Sequence, residues 1–258
     1  MTVRDIQNII ESAAPLGLQE SYDNSGLQVG RENDEVKGIL VCLDITEEVI
    51  EEAARKGCNL VVSHHPLLFK SLRCVSDRTP QQRCVCDAIG KGIALYSAHT
   101  NLDNARGGVN FEIAERIGLK NLEWLLPIPG QDAGSGVVGE LAESVEAEAF
   151  LQHLKAIFKV EALRCTDPKG KQVRKVALCG GAGSFLISEA QAKGVDCFIT
   201  GEIHYHDYFD AQHLLLVSLG HYESEQYTVD LLVRMLEREC PGVRVEATQL
   251  NTNPIVTL

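Results

Sequence analysis

Short apolar runs alternate along this chain with stretches whose apolar positions recur at helical spacing, the pattern of an α/β fold. In Thr2–Ala14, the residues Val3, Ile6, Ile9 and Ile10 share one face, which predicts an amphipathic helix. The segment SYDNSGLQVG (Ser21–Gly30) is turn-rich and leads away from it. GILVCLDIT (Gly38–Thr46) predicts a buried strand, and Thr46 can cap the helix EEVIEEAARKG, whose first turn is acidic and which Gly57 suits as an end. NLVVSHHP (Asn59–Pro66) predicts the next strand, stopped by Pro66. A βαβ unit follows from this order, so the two strands should be parallel neighbours.

The alternation continues with a helix near Gln81–Gly90, the strand IALYSAHT (Ile93–Thr100), the loop NLDNARGG and an amphipathic helix over Val109–Ile117. WLLPIPGQDAGSG (Trp124–Gly136) holds two prolines and three glycines and predicts a connection between halves. Beyond it come the strand VVGELAE, a helix over Val145–Phe158, strands near Ala162–Thr166 and Lys175–Gly180, and a helix over Phe185–Lys193. The strands CFITGEI and LLLVSLG, a long helix from about Tyr222 to Glu239 and a last strand VRVEATQ complete the expectation. EAARKGCNLVVSHH (Glu52–His65) echoes EAQAKGVDCFITGE (Glu189–Glu202), setting His64 and His65 opposite Gly201 and Glu202. Duplication and convergence on a shared βα pattern both account for that echo.

Composition narrows the classes. At 258 residues, 45% hydrophobic and 23% charged, the chain is an ordinary globular sequence with no apolar run of the roughly 18 residues that span a bilayer. No basic segment followed by a long apolar run opens it, so the expected location is cytoplasmic. The nine cysteines are odd in number and scattered; Cys42, Cys58, Cys179 and Cys197 lie in apolar runs as small hydrophobes, and Cys84-x-Cys86 lacks the second pair of a zinc site. Reduced thiols fit a reducing compartment. A net charge of −12 argues against nucleic-acid binding, and a phosphate-bearing substrate would need metal ions or a local basic pocket.

Three polar clusters each directly follow an apolar run: Ser63-His64-His65, His99 to Asp103, and Gly220-His221 with Glu225. Ligands in open α/β sheets bind beyond the carboxyl ends of strands, so three strands could deliver side chains to one rim. Each cluster alone has an ordinary explanation. His64 and His65 can simply close a strand, His221 and Glu225 can be a surface pair on one helical turn, and Asp103 can be a turn residue. Together, three imidazoles and two carboxylates form a donor set suited to Zn, Fe, Mn, Co or Ni rather than Ca. Five donors exceed a closed tetrahedral zinc site, and bridging carboxylates would hold two ions roughly 3.5–4 Å apart with positions open to water. Hydrolysis is the chemistry such a centre most naturally serves.

At these residues the chain resembles the GTP cyclohydrolase I type 2 family, the Nif-three-like dinuclear metal proteins. The likeness runs nearly the whole length through YDNSGLQVG, SHHP, SAHTNLD, CGGAGS, TGEIHYHD, GHYESE and NTNPI, in order. The resemblance implies that His64, His65, Asp103, His221 and Glu225 ligate two divalent ions per subunit. It implies two interlocked α/β lobes with mixed, largely parallel sheets, one from residues 1–125 plus 221–258 and the other from 126–220, with the metal site at strand ends between them. It also implies a homohexameric ring. Some members carry an inserted middle domain, for which 258 residues leave no room, and Trp124–Gly136 marks where it would enter. Tyr22 stands where the family commonly has Trp.

The expected activity is metal-dependent hydrolysis of a nucleotide or related heterocycle, with GTP as the named candidate and formate as a product. A non-catalytic metal-handling protein, or a ring that assembles partners, is the alternative. His99 is the expected catalytic group, with Glu202, His204 and His206 as candidates for proton transfer or support of the ligands. His153 and His213 are expected to be structural. Gly180, Gly181 and Gly183 could offer N–H groups to an anion, or only form a tight turn.

Overall fold

Runs of four buried residues make the strands at the heart of each sheet in the computed structural model, which describes residues 1–211 and 213–257. The described strands are β1 (Gly26–Val29), β2 (Ile39–Cys42), β3 (Leu60–Ser63), β4 (Ala94–Ser97), β5 (Lys120–Pro127), β6 (Gly134–Glu146), β7 (Arg164–Cys165), β8 (Gln172–Cys179), β9 (Cys197–Thr200), β10 (Leu215–Ser218) and β11 (Val245–Ala247). They form two mixed sheets in two compact units, an α/β fold as the patterning predicts. Continuous apolar burial in β2, β3 and β4 is what strands covered on both faces require.

The first unit comprises Met1–Leu102 and Thr228–Pro254. Its sheet runs β1-β4-β3-β2-β11, and every pairing but β1 with β4 is parallel. The expected βαβ unit is present: Thr46 caps the helix Glu47–Arg55 through the Val49 N–H (3.3 Å), and β2 and β3 are parallel neighbours. Leu40, Val49, Ile50, Val61 and Leu95 pack together beneath that helix and sheet, each contributing roughly 1.5–3 kcal/mol by leaving water. The turn-rich Ser21–Gly30 segment also holds β1, a strand too short for its turn residues to reveal.

The second unit comprises Asp103–Tyr227 and Ile255–Leu258. Its sheet runs β5-β6-β8-β9-β10-β7, with β8, β9 and β10 parallel and the remaining pairings antiparallel. The division falls at Leu102/Asp103 and Tyr227/Thr228 rather than near residues 125 and 221. The reason is pairing: β5 joins β6 as an antiparallel neighbour, so the chain before Trp124 already belongs to the second sheet. Trp124–Gly136 is therefore largely a β-hairpin, and Pro127 is tolerated because β5 is an edge strand. The long helix expected over Tyr222–Glu239 is two helices, His221–Glu225 and Thr228–Glu239. Tyr227 donates its hydroxyl to the Ile157 carbonyl, and Gln226 donates to Phe158 (3.0 Å), fixing the break.

In both units three parallel strands end level. Cys42, Ser63 and Ser97 are in register in the first, as are Cys179, Thr200 and Ser218 in the second. β3 and β9 are the middle strands of these triplets, and they are the two strands of the internal sequence echo. Cys42, Cys58, Cys179 and Cys197 are buried, and all nine cysteines are free thiols. Among the described residues no helix is long and apolar enough to cross a membrane.

Gly30 ends β1 at φ +116°, and a β-carbon there would lie 2.7 Å from the Ala94 side chain. Gly30→Ala should therefore lower unfolding free energy by about 2–4 kcal/mol, measured by urea denaturation; an unchanged midpoint would contradict this packing.

Candidate metal centre

In the first unit the donors stand just past the carboxyl ends of β3 and β4. His64 and His65 prolong β3, donating their backbone N–H groups to the carbonyls of Cys42 (3.2 Å) and Leu43 (3.0 Å). The Ser63 hydroxyl lies 2.8 Å from the His65 carbonyl and bends the chain ahead of Pro66. A regular strand would send the two rings to opposite faces, but here their centroids are 4.9 Å apart. The His99 ring, beyond β4, lies 5.2 Å from that of His64 and 5.6 Å from that of His65. One donor atom from each of the three falls within 4.8 Å of the others.

Each of these imidazoles is tied at Nδ1. His64 Nδ1 lies 2.8 Å from the Ala98 carbonyl, which can only accept, so Nδ1 carries the proton. His65 Nδ1 meets Asp44 Oδ1 and His99 Nδ1 meets Asp23 Oδ1, each at 2.7 Å. Burial pushes the Asp44 carboxyl up, but hydrogen bonds from His65 and Thr252 outweigh it and hold the group below its ordinary range. Burial acts on Asp23 likewise, and hydrogen bonds from His99 and Thr100 hold it far below that range. Both carboxylates thus stay ionised acceptors. A neutral imidazole that donates from Nδ1 presents its lone pair at Nε2, the form that binds a metal.

The second unit gathers its donors in the same manner. Gly220, at φ +102°, leads into the helix His221–Glu225, which sets His221 and Glu225 one turn apart. His221 Nδ1 lies 2.9 Å from Glu202 Oε1, and His221 Nε2 lies 3.2 Å from Glu225 Oε2. With Nδ1 donating to Glu202, that second approach joins a lone pair to a carboxylate, which a shared cation or proton makes favourable. Asp103 ends the single helical turn Thr100–Asp103. Asn110 donates to its carbonyl (3.1 Å) and accepts from the Gly180 N–H (2.9 Å), linking it to the glycine turn after β8. Burial raises the Cys179 thiol well above its ordinary value, and the charges of Asp103 and Glu225 raise it further. A carboxylate oxygen of Asp103 and one of Glu225 lie within 4.8 Å of each other, a pair that a cation would stabilise.

Glycine is required in that turn by space. Gly181 adopts φ +61°, and a β-carbon there would fall 2.3 Å from Glu225 Oε1 and 3.3 Å from His221 Nε2. The glycine N–H groups are already committed: Gly180 to Asn110 Oδ1, Gly181 to Ser224 Oγ (3.0 Å) and Gly183 to Thr200 Oγ1 (2.9 Å). Of the two expectations for CGGAGS, the tight turn is the one this bonding fits.

Two cavities adjoin these clusters. One of about 280 Å³ in the first unit is lined by Asp44, Glu47, Glu48 and His65 among others, a wall unsuited to phosphate. The other, about 640 Å³ in the second unit, runs from Glu202 and His221 to Lys159 and Arg164. His204 lines the larger cavity, and His204, His206 and His213 are exposed. His153 Nε2 is bonded to the Ile117 carbonyl (3.1 Å), a structural role. Sequence reasoning passed over Asp23, Asp44 and Asn110. Asp44 stands two residues past the end of β2, so the strand-end rule that found the histidines applies to it as well. Asp23 lies in a turn-rich run, where a structural Asx residue looks the same.

Residues 1–254 match the family described as Duf34/NIF3 (NGG1p interacting factor 3). A GTP cyclohydrolase 1 type 2 homolog of Clostridium acetobutylicum is 34% identical over 242 residues, 92% of this chain and 90% of that one. A protein of the same description from Lactococcus lactis is 34% identical over 259 residues, 98% of each. The crystal structure of a Bacillus cereus protein related to NIF3 is similar at TM-score 0.91 and 26% identity, covering 100% of this chain and 99% of that one.

Gly181→Ala should weaken zinc binding about 10- to 100-fold by crowding Glu225 and His221, with far-UV circular dichroism unchanged. Chelator competition measures this, and undiminished affinity would contradict the cradle.

Proposed function

The chain belongs to the Duf34/NIF3 (NGG1p interacting factor 3) family, and on that premise we propose that it is a metal-dependent hydrolase of a nucleotide or related heterocycle. Its two divalent ions are held, in this reading, by His64, His65, Asp103, His221 and Glu225. The observation that carries the reading is the Nδ1 tethering of His64, His65 and His221, which leaves each Nε2 as the donor. Histidine and carboxylate groups that could hold a metal are present in both units. Zn, Fe, Mn, Co and Ni all suit such donors.

Bound there, the ions would acidify a water and draw charge from the atom it attacks. The chain's own groups supply the remainder. His99, held at Nδ1 by Asp23, is positioned to take and return a proton at Nε2, and the Asp23 carboxylate would stabilise the imidazolium formed. Glu202 keeps His221 in one orientation and tautomer. The cavity beside His221 sets Lys159 and Arg164 against Glu161, Glu202 and Glu223, so it offers two cations to contact an anionic group but no net positive charge. GTP is the named candidate because relatives carry the description GTP cyclohydrolase 1 type 2 homolog. The assembly proposed with this activity is a homohexameric ring, and its free thiols suit the cytoplasm.

Gently purified protein should carry about two transition-metal ions per chain, measured by plasma mass spectrometry. Incubated with GTP, that protein should release formate, and Asp103→Ala should reduce the release at least about 100-fold with the fold intact. Bound metal that exchanges readily without formate release would overturn the hydrolase reading in favour of metal handling.

A further inference from the structure

The segment Tyr22–Gln28 does more than turn the chain, and its bonds converge on two exposed rings. Asp23, whose side chain is fully buried, holds His99 Nδ1 at 2.7 Å and also accepts from the Thr100 N–H at 3.1 Å. Asn24 donates to the Leu68 carbonyl (2.8 Å), Gln28 accepts from the Leu68 N–H (3.1 Å), and Gln28 donates to the Asn24 carbonyl (2.6 Å). Both backbone groups of Leu68 are therefore fixed by the segment that carries Tyr22, and the next residue is Phe69. The Phe69 and Tyr22 centroids are 6.3 Å apart at 66°, and those of Phe69 and His99 are 6.0 Å apart at 87°. Tyr22 is 64% exposed and Phe69 43%.

Five polar side-chain contacts hold two aromatic rings in water beside a cluster of imidazoles, which pre-organises a surface for something flat. Rings that meet edge to face do not stack on each other, and the exposure of Tyr22 and Phe69 leaves ring surface within reach of a third ring. We propose that Tyr22 and Phe69 form the stacking platform that binds the planar nitrogen heterocycle of the substrate next to the His64–His65–His99 cluster. This rests on the reading of the protein as a hydrolase of a nucleotide or heterocycle and names the residues that select the ring. A protein partner fits the surface poorly. The two rings offer under about 300 Å² between them, whereas a stable interface takes about 800 Å² from each partner, and the residues flanking Tyr22 are polar. Stacking is also insensitive to the net charge of −12, which disfavours holding a nucleotide by its phosphates alone.

The test is calorimetric titration of the zinc-loaded full chain with guanosine, which has the base and no phosphate, and with ribose 5-phosphate, which has the reverse. Tyr22→Leu and Phe69→Leu should each weaken guanosine binding about tenfold. Tyr22→Trp and Phe69→Tyr, which keep an aromatic face, should bind it within about threefold of the parent. Ribose 5-phosphate should bind all five proteins alike, with zinc content and oligomeric mass unchanged. The platform is overturned if the parent does not bind guanosine, or if the leucine variants bind it as the parent does. It is also overturned if those variants change oligomeric mass, which would assign the rings to a contact between copies. Because the titration needs no turnover, a failure to release formate from GTP would remove the hydrolase reading and leave the platform standing. Formate release with leucine-insensitive guanosine binding would do the opposite.

Discussion

A hydrogen bond at Nδ1 governs what each clustered imidazole of this protein can do. His64 donates to a backbone carbonyl, His65 to Asp44, His99 to Asp23 and His221 to Glu202. The same bond does three things at once: it selects the tautomer, fixes the ring plane and raises the basicity of Nε2. Without it, a histidine at a strand end would sample several rotamers and both tautomers, and any donor set would have to be assembled at an entropic cost. The acceptors are themselves secured. Asp23 and Asp44 remain ionised despite burial because the histidines they orient stabilise their charge in return.

The sheets make that bonding possible by delivering chain to the right level. Three parallel strands ending in register bring several loops to one rim within each unit, and βα connections leave the carboxyl ends open. Small residues then permit close approach. Gly181 admits the Glu225 carboxylate where any side chain would collide with it, and Gly220 takes a positive φ to start the helix that carries His221 and Glu225. Asn110 extends the same economy of placement, tying the Asp103 backbone to the glycine turn with its two amide ends. The repeat of a level parallel triplet in each unit, at the strands of the sequence echo, gives one architectural solution used twice.

Much of this was legible in the sequence because it depends on local periodicity. The helices after Thr46 and Gly108 and the parallel β2–β3 pair follow from apolar spacing and caps. Convergence of His64 and His65 was also readable, from Pro66, although the Ser63 hydroxyl that bends the chain is a contact that spacing cannot express. What escaped is non-local. β1 hides among turn residues because its pairing with β4, seventy residues on by sequence, is what makes it a strand. The break between His221–Glu225 and Thr228–Glu239 leaves the apolar period almost undisturbed, since anchors at Ile157 and Phe158 cause it. Asp23 looks like a turn residue until the histidine it holds is seen.

We propose that His64, His65 and His221 bind metal through Nε2 while Nδ1 keeps its proton. Long-range proton–nitrogen correlation spectra of ¹⁵N-histidine-labelled, zinc-loaded protein test it directly. The account predicts that the Nδ1 nitrogens of His64, His65 and His221 retain pyrrole-type shifts with slowly exchanging protons, while their Nε2 nitrogens move to metal-bound values on loading. Metal-bound shifts at Nδ1, or spectra that zinc leaves unchanged, would contradict it.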